Sequence, residues 1–226
     1  MKLNLTPSLK HIALSALLLI FFSSLLFAQE NYKHFQEEVN QIIANTPIPN
    51  DQSPVYLFTG SSSIRLWKDI NEYFPGQTIV NTGFGGSQTH ELLYFSDELI
   101  LRYKPHKIFI YEGDNDLASG KNPITIFNTM KKLVTKIQTN LPEVEIVLLS
   151  PKPSPSRWEL KEKYETLNRL LEVYGKKTPK VEFVDLWNIT LDEKGTPMKD
   201  IFKEDRLHLN KKGYDIWAKA IKEHIP

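Results

Sequence analysis

Five short apolar runs punctuate the chain after residue 50, and each stops at a glycine or a polar residue. They are VYLFTG (55–60), TIVNTG (78–83), KIFIYEG (107–113), VEIVLLS (144–150) and VEFVDLW (181–187). Runs this short, built of β-branched, aromatic and leucine residues and bounded by Gly, Ser, Asp or Asn, predict strands. Between them, apolar residues recur at spacings of three and four, as in Leu133, Val134, Ile137 and Leu141, or Leu167, Leu170, Leu171 and Tyr174. That period predicts helices over 89–103, 123–140, 158–174 and 211–224.

Strands alternating with helices require right-handed crossovers, hence a parallel sheet covered on both faces. The expected class is α/β: a three-layer α/β/α sandwich on a five-stranded parallel sheet, in the flavodoxin-like order 2-1-3-4-5. The sheet domain is placed at 53–226, preceded by a helix and linker at 29–52. There is no internal repeat and no low-complexity segment.

The first 28 residues follow a different pattern. Lys2 and Lys10 precede a run of about 17 mostly apolar residues ending at Ala28, and the polar stretch 29–33 follows. A basic start, an apolar middle and a small residue at the boundary predict a secretory signal peptide over 1–28, cut after Ala28. The rival reading is an uncleaved N-terminal anchor, which the shortness of the run disfavours. Either way the folded body is expected to be exported, to the periplasm or beyond, without stable membrane insertion once the leader is removed.

Composition narrows the chemistry. Outside 1–28 there remain 26 basic and 27 acidic residues, so no electrostatic footprint for nucleic acid exists. Cysteine is absent, which excludes disulfides, thiolate metal sites and a cysteine nucleophile. The six histidines (11, 34, 90, 106, 208, 224) form no pair at ligand spacing, which argues against a histidine-built metal site.

In open parallel sheets, ligands bind at the carboxyl edge beside the switch point between the first and third strands. The polar residues concentrate there. The first strand runs into Gly60-Ser61-Ser62-Ser63, the second into Asn81-Thr82-Gly83-Phe84-Gly85-Gly86, and the third into Glu112-Gly113-Asp114-Asn115-Asp116. Ser62 on a strand-to-helix turn can present a nucleophilic hydroxyl and an oxyanion-facing N–H, although the three serines can equally cap the next helix, and Ser61 and Ser63 are rivals. Asp205, three residues before His208, can accept the imidazole Nδ1–H and leave Nε2 free to take a serine proton. The chain order Ser…Asp…His is one known solution to that geometry. The Gly86 N–H and the Asn115 side chain are suitable oxyanion donors; taken singly, each also reads as turn chemistry. Arg157 and Trp158, in a proline-rich loop after the fourth strand, are candidate substrate contacts. Arg65 and Trp67 either line the cleft mouth or pack a helix.

Together these blocks resemble the SGNH (GDSL-type) hydrolase superfamily over roughly 53–224. TGSSSIRLW stands at the family's Gly-Asp-Ser block, NTGFGGSQTHELL at its glycine block, EGDND at its Gly-x-Asn-Asp block, and DRLHLNKKGYDIWAKAI at its Asp-x-x-His block and closing helix. The branch most similar is that of platelet-activating-factor acetylhydrolase catalytic subunits and exported bacterial acetylesterases. The resemblance implies that Ser62 is the nucleophile, His208 the general base and Asp205 its orienting partner. Ser62, Gly86 and Asn115 would then form the oxyanion hole. It departs from the family at Ser61, which stands where the family has aspartate. That aspartate moves no proton, so the change is expected to alter loop hydrogen bonding and leave the chemistry intact.

The resemblance further implies an ester hydrolase needing no metal and no organic cofactor. Its substrate would be a small-molecule or glycan ester with a short acyl group, O-acetylated saccharide ahead of phospholipid. Open alternatives are a lipid esterase of the lysophospholipase or platelet-activating-factor acetylhydrolase kind, acyl transfer to a sugar hydroxyl, and a non-catalytic sugar-binding module. A nucleotide module fails on its fingerprints, since Gln88 stands where a dinucleotide loop needs its third glycine and no Gly-Lys-Ser/Thr follows Gly60.

Overall fold

The computed structural model describes residues 32–50 and 53–225; the expected leader and its cleavage site lie outside them. The unit that carries the site runs from Glu38 onward. In chain order the elements are α1 (Lys33–Asn45), β1 (Val55–Gly60), α2 (Ser62–Arg65), α3 (Ile70–Tyr73), β2 (Thr78–Asn81), α4 (Thr89–Tyr94) and α5 (Ser96–Leu99). There follow β3 (Lys107–Tyr111), α6 (Asp114–Ala118), α7 (Pro123–Asn140), β4 (Glu145–Leu149), α8 (Lys161–Lys177), β5 (Val181–Val184) and α9 (Lys211–Ile221). Among the described residues no helix is long and apolar enough to cross a membrane.

All strands pair in parallel in the order β2-β1-β3-β4-β5, the expected topology. Every residue of β1 and β3 is buried, which is why these runs lack the polar alternation of a one-sided sheet. β1 spans its whole run to Gly60, whereas β2, β3, β4 and β5 stop before the polar ends of theirs, because those residues already belong to the carboxyl-edge loops. Pro123–Asn140 is helical as the spacing predicts, with Asn122 capping it by accepting from the Ile124 N–H. The predicted helix 89–103 is instead α4, α5 and a 3-10 turn at Leu101–Tyr103. Ser96 breaks it, its hydroxyl turning back to the Leu93 carbonyl and competing with the helix ladder.

One face of the sheet buries Tyr56, Phe58, Phe109, Tyr111, Val147 and Leu149 against α9 and the segment after β1. Phe58 stacks on Phe109 at 4.4 Å, and Trp67 on Tyr214 at 5.0 Å. Strand alternation puts Leu57, Ile108, Ile110, Ile146 and Leu148 on the opposite face, where Gly175 lets α8 approach Phe183 of β5 closely. Trp67 is therefore a fully buried core residue. Tyr214 serves the site as well as the core: from α9, just after His208, its hydroxyl donates to the Ser63 carbonyl at 2.9 Å.

Candidate active site

β1 delivers the chain to Gly60, where φ is 120° and a Cβ would lie 2.0 Å from the Tyr111 carbonyl oxygen. Only glycine lets the strand turn there while staying this close to β3. Ser61 then stands at the N-cap of α2, yet its hydroxyl makes no capping bond. Both it and Ser63 are almost fully buried. Of the three serines, Ser62 faces the imidazole, with its Oγ 2.9 Å from His208 Nε2.

His208 comes from a closed loop. Phe202 bridges Leu209, the Lys203 N–H donates to the His208 carbonyl at 2.8 Å, and Arg206 turns the chain at φ 57°. Asn210 holds the exit, donating to the Asp200 and Phe202 carbonyls and capping α9. Within the loop, Asp205 Oδ1 accepts the N–H groups of Leu207 and His208, both at 2.9 Å, while its Oδ2 lies 2.6 Å from His208 Nδ1. Partial burial pushes the Asp205 carboxyl up, but the ring hydrogen bond and the two backbone donors outweigh it and hold the group at about 2. An ionised carboxylate on Nδ1 places the ring proton there and leaves Nε2 as the acceptor for a serine proton.

The glycine loop lies against the segment that carries Ser62, and the Asn115 loop lies against the glycine loop. The glycine loop is pinned by Phe84 N–H on the Gly60 carbonyl (2.9 Å), Gly83 N–H on Asn81 Oδ1 (3.0 Å) and Gly85 N–H on Glu38 Oε1 (2.9 Å). Gly86 follows with φ 63° and open space on its side-chain face. Among the described residues neither the Ser62 nor the Gly86 N–H has a protein acceptor. Asn115 donates from Nδ2 to the Ser87 carbonyl at 2.9 Å, which ties the third loop to the second. Two free backbone donors and an amide with a second N–H are the groups that can receive a developing oxyanion.

The sequence profile of the GDSL-like Lipase/Acylhydrolase family matches residues 57–216, the stretch that holds all of these groups. The chain belongs to that family. It is an ester hydrolase, and its sheet is the SGNH hydrolase α/β fold. No curated protein matches the sequence. Among solved structures it is similar to a candidate platelet activating factor from Streptococcus pneumonia, with 26% identity over 90% of this chain and 99% of that one and a TM-score of 0.76. An acylhydrolase candidate from Bacteroides fragilis shares the fold at 22% identity, 84% and 95% coverage and TM-score 0.73. So does a variant of Axe2, an acetyl-xylooligosaccharide esterase from Geobacillus, at 17% identity, 78% and 96% coverage and TM-score 0.61.

Around the GDSL-type loops the structure shows a polar network that the spacing of residues does not reveal. Asp114, beside Asn115, is buried and accepts from Lys152 Nζ (3.3 Å), Tyr111 (3.2 Å), Arg157 and Tyr164. Burial opposes its ionisation, but the Lys152 and Arg157 charges and the Tyr164 hydroxyl hold it well below the usual carboxylate range. Lys152 is itself fully buried, and burial lowers its pKa from the ordinary lysine value. The available signal was positional: Lys152 lies between two prolines just past β4, at the edge where the other site loops start. Arg157, expected at the substrate rim, turns inward to Asp114 and to Asn115 Oδ1 (3.0 Å). Trp158 stacks on Trp187 at 5.8 Å. On the other flank, Ser87 donates to Glu112 at 2.6 Å, and burial, then Asp116, raises that carboxyl well above its ordinary value.

Proposed function

We propose that this ester hydrolase is exported and removes short acyl groups, acetyl foremost, from O-acetylated saccharides through an acyl-enzyme on Ser62. The observation that carries the reading is the 2.9 Å approach of Ser62 Oγ to His208 Nε2, backed by Asp205 on the far ring nitrogen. Ser62 Oγ attacks the acyl carbonyl as its proton passes to His208 Nε2. Asp205 stays ionised and stabilises the imidazolium. The tetrahedral oxyanion is received by the N–H groups of Ser62 and Gly86 and by the second N–H of Asn115. His208 then protonates the leaving sugar alkoxide. Water, deprotonated by the same imidazole, releases the carboxylic acid and restores Ser62.

A short acyl group is supported by the absence, among the described residues, of a long apolar lid or lipid-docking helix. The likeness to an acetyl-xylooligosaccharide esterase supports a saccharide leaving group. The likeness to the pneumococcal protein supports the second reading, an acetylated phospholipid. Both predict acetate release, so the test is a panel: acetylated xylooligosaccharides, platelet-activating factor, and p-nitrophenyl esters from acetate to octanoate. The proposal expects the highest kcat/KM on acetylated sugars and a steep fall beyond butyrate. Preference for octanoate or for the phospholipid would overturn the substrate assignment. Export is tested by expressing the full chain with its leader: a mature N-terminus at Gln29 in the exported fraction is expected, and an uncleaved cytoplasmic product would contradict it.

A further inference from the structure

We propose that Arg157 is a positioning residue for the oxyanion site, its guanidinium bridging Asp114 and the Asn115 amide so that the amide presents its free N–H to the substrate. The inference rests on the reading of Asn115 as an oxyanion donor and goes beyond it by naming what orients that donor.

An asparagine side chain has two nearly isosteric ends, and a flip exchanges donor for acceptor. Here both ends are fixed by groups with a single character. Guanidinium only donates, and its NH2 meets Asn115 Oδ1 at 3.0 Å. The Ser87 carbonyl only accepts, and Asn115 Nδ2 meets it at 2.9 Å. A flipped amide would set N–H against a cation and oxygen against a carbonyl, losing both bonds and adding two repulsions. One Nδ2–H is thus used on Ser87, and the other is left for the substrate.

The clamp is itself held. Arg157 NH1 lies on Asp114 Oδ1, and Asp114 is fixed from the other sides by Lys152, Tyr111 and Tyr164. The arginine side chain is only 18% exposed, so its hydrogen bonds are weakly screened. A charged donor on the carbonyl oxygen also draws electron density from the amide nitrogen and strengthens the remaining N–H as a donor. Such a group costs no reorganisation as charge develops on the substrate. Lysine cannot replace it fully, since one ammonium does not span a carboxylate and an amide as a planar fork does.

The test is a double-mutant cycle on acetate release from p-nitrophenyl acetate, with Arg157→Met, Asn115→Ala and the double variant. Arg157→Met is expected to lower kcat about 10- to 100-fold with KM changed less than about twofold, the loss expected of a misaligned donor. In the Asn115→Ala background the same substitution is expected to cost less than about threefold, because there is no amide left to orient. Arg157→Lys, which keeps a cation against Asp114 and so protects folding, is expected to show an intermediate loss. Equal losses from Arg157→Met with and without Asn115 would overturn the inference, as would a rise in KM at unchanged kcat, which marks a direct substrate contact. If Asn115→Ala itself costs less than tenfold, the oxyanion reading falls and this inference with it. Additive losses beside a large Asn115→Ala effect remove this inference alone.

Discussion

Each edge of the sheet carries a charge ringed by opposite charges, and the two rings differ in their solvent. At the carboxyl edge Asp114 and Lys152 are 6% and 0% exposed by side chain, and Arg157 18%. At the amino edge Lys107, at the start of β3, meets Glu145 (2.7 Å) and Glu182 (3.7 Å) and donates to the His224 carbonyl, while His224 Nδ1 faces Glu182. Those two glutamates are 42% and 43% exposed. The amino-edge ring fastens the C-terminal segment through contacts that water screens. The carboxyl-edge ring is dry, is bonded to Asn115 through Arg157, and holds its dipoles fixed. Similar ion-pair chemistry therefore serves attachment at one edge and preorganisation at the other.

Substitutions at the two edges should differ in what they cost. The largest effect belongs to Ser62→Ala, expected to lower kcat on the order of 10⁶-fold with an unchanged unfolding midpoint; retained turnover would move the nucleophile. Asn115→Ala is expected to cost roughly 10²–10³-fold in kcat. Asp114→Ala leaves Lys152 and Arg157 buried without their carboxylate, and urea denaturation should show a loss of about 3–5 kcal/mol. At the amino edge Glu145→Gln should cost less than about 1 kcal/mol and leave kcat unchanged, although Lys107, chiefly by hydrogen bonding, lowers the Glu145 pKa. A Glu145→Gln loss as large as that of Asp114→Ala would abolish the distinction between the edges.

The pH dependence has a definite sign. Asp205 titrates at about 2 in the folded chain against roughly 3.9 unfolded. Its contribution to stability is complete above pH about 4 and is lost as pH falls through 2. Asp205→Asn should flatten that part of the stability–pH curve, measured by thermal unfolding between pH 2 and 5. An unchanged slope would mean that the carboxyl is not held by His208.

What the sequence shows and what it hides follow from range. Strands such as VYLFTG and KIFIYEG are legible because a strand buried on both faces needs a continuous apolar run, and that is a local property. The gathering of Gly60, Gly86, Asn115 and His208 at one edge is legible from topology, since the parallel order places every strand's exit there. The break at Ser96 is not, because the apolar spacing continues through it while the bond that ends the helix comes from one hydroxyl. Asp114, Lys152 and Tyr164 lie 38 and 50 residues apart along the chain, and no spacing rule links them. Arg157 was legible as a loop arginine near the site, and its inward turn was not. Glu38 on α1, which holds the Gly85 N–H, belongs to a segment that the sequence reads only as helix and linker.

In the proposed mechanism Ser62 owes its reactivity to His208. Labelling with a fluorophosphonate followed by peptide mass spectrometry reads out that activation at the serine itself. One adduct is expected, on Ser62, formed in step with loss of esterase activity and absent from His208→Ala. An adduct on another serine, or full activity after Ser62 is labelled, would contradict it.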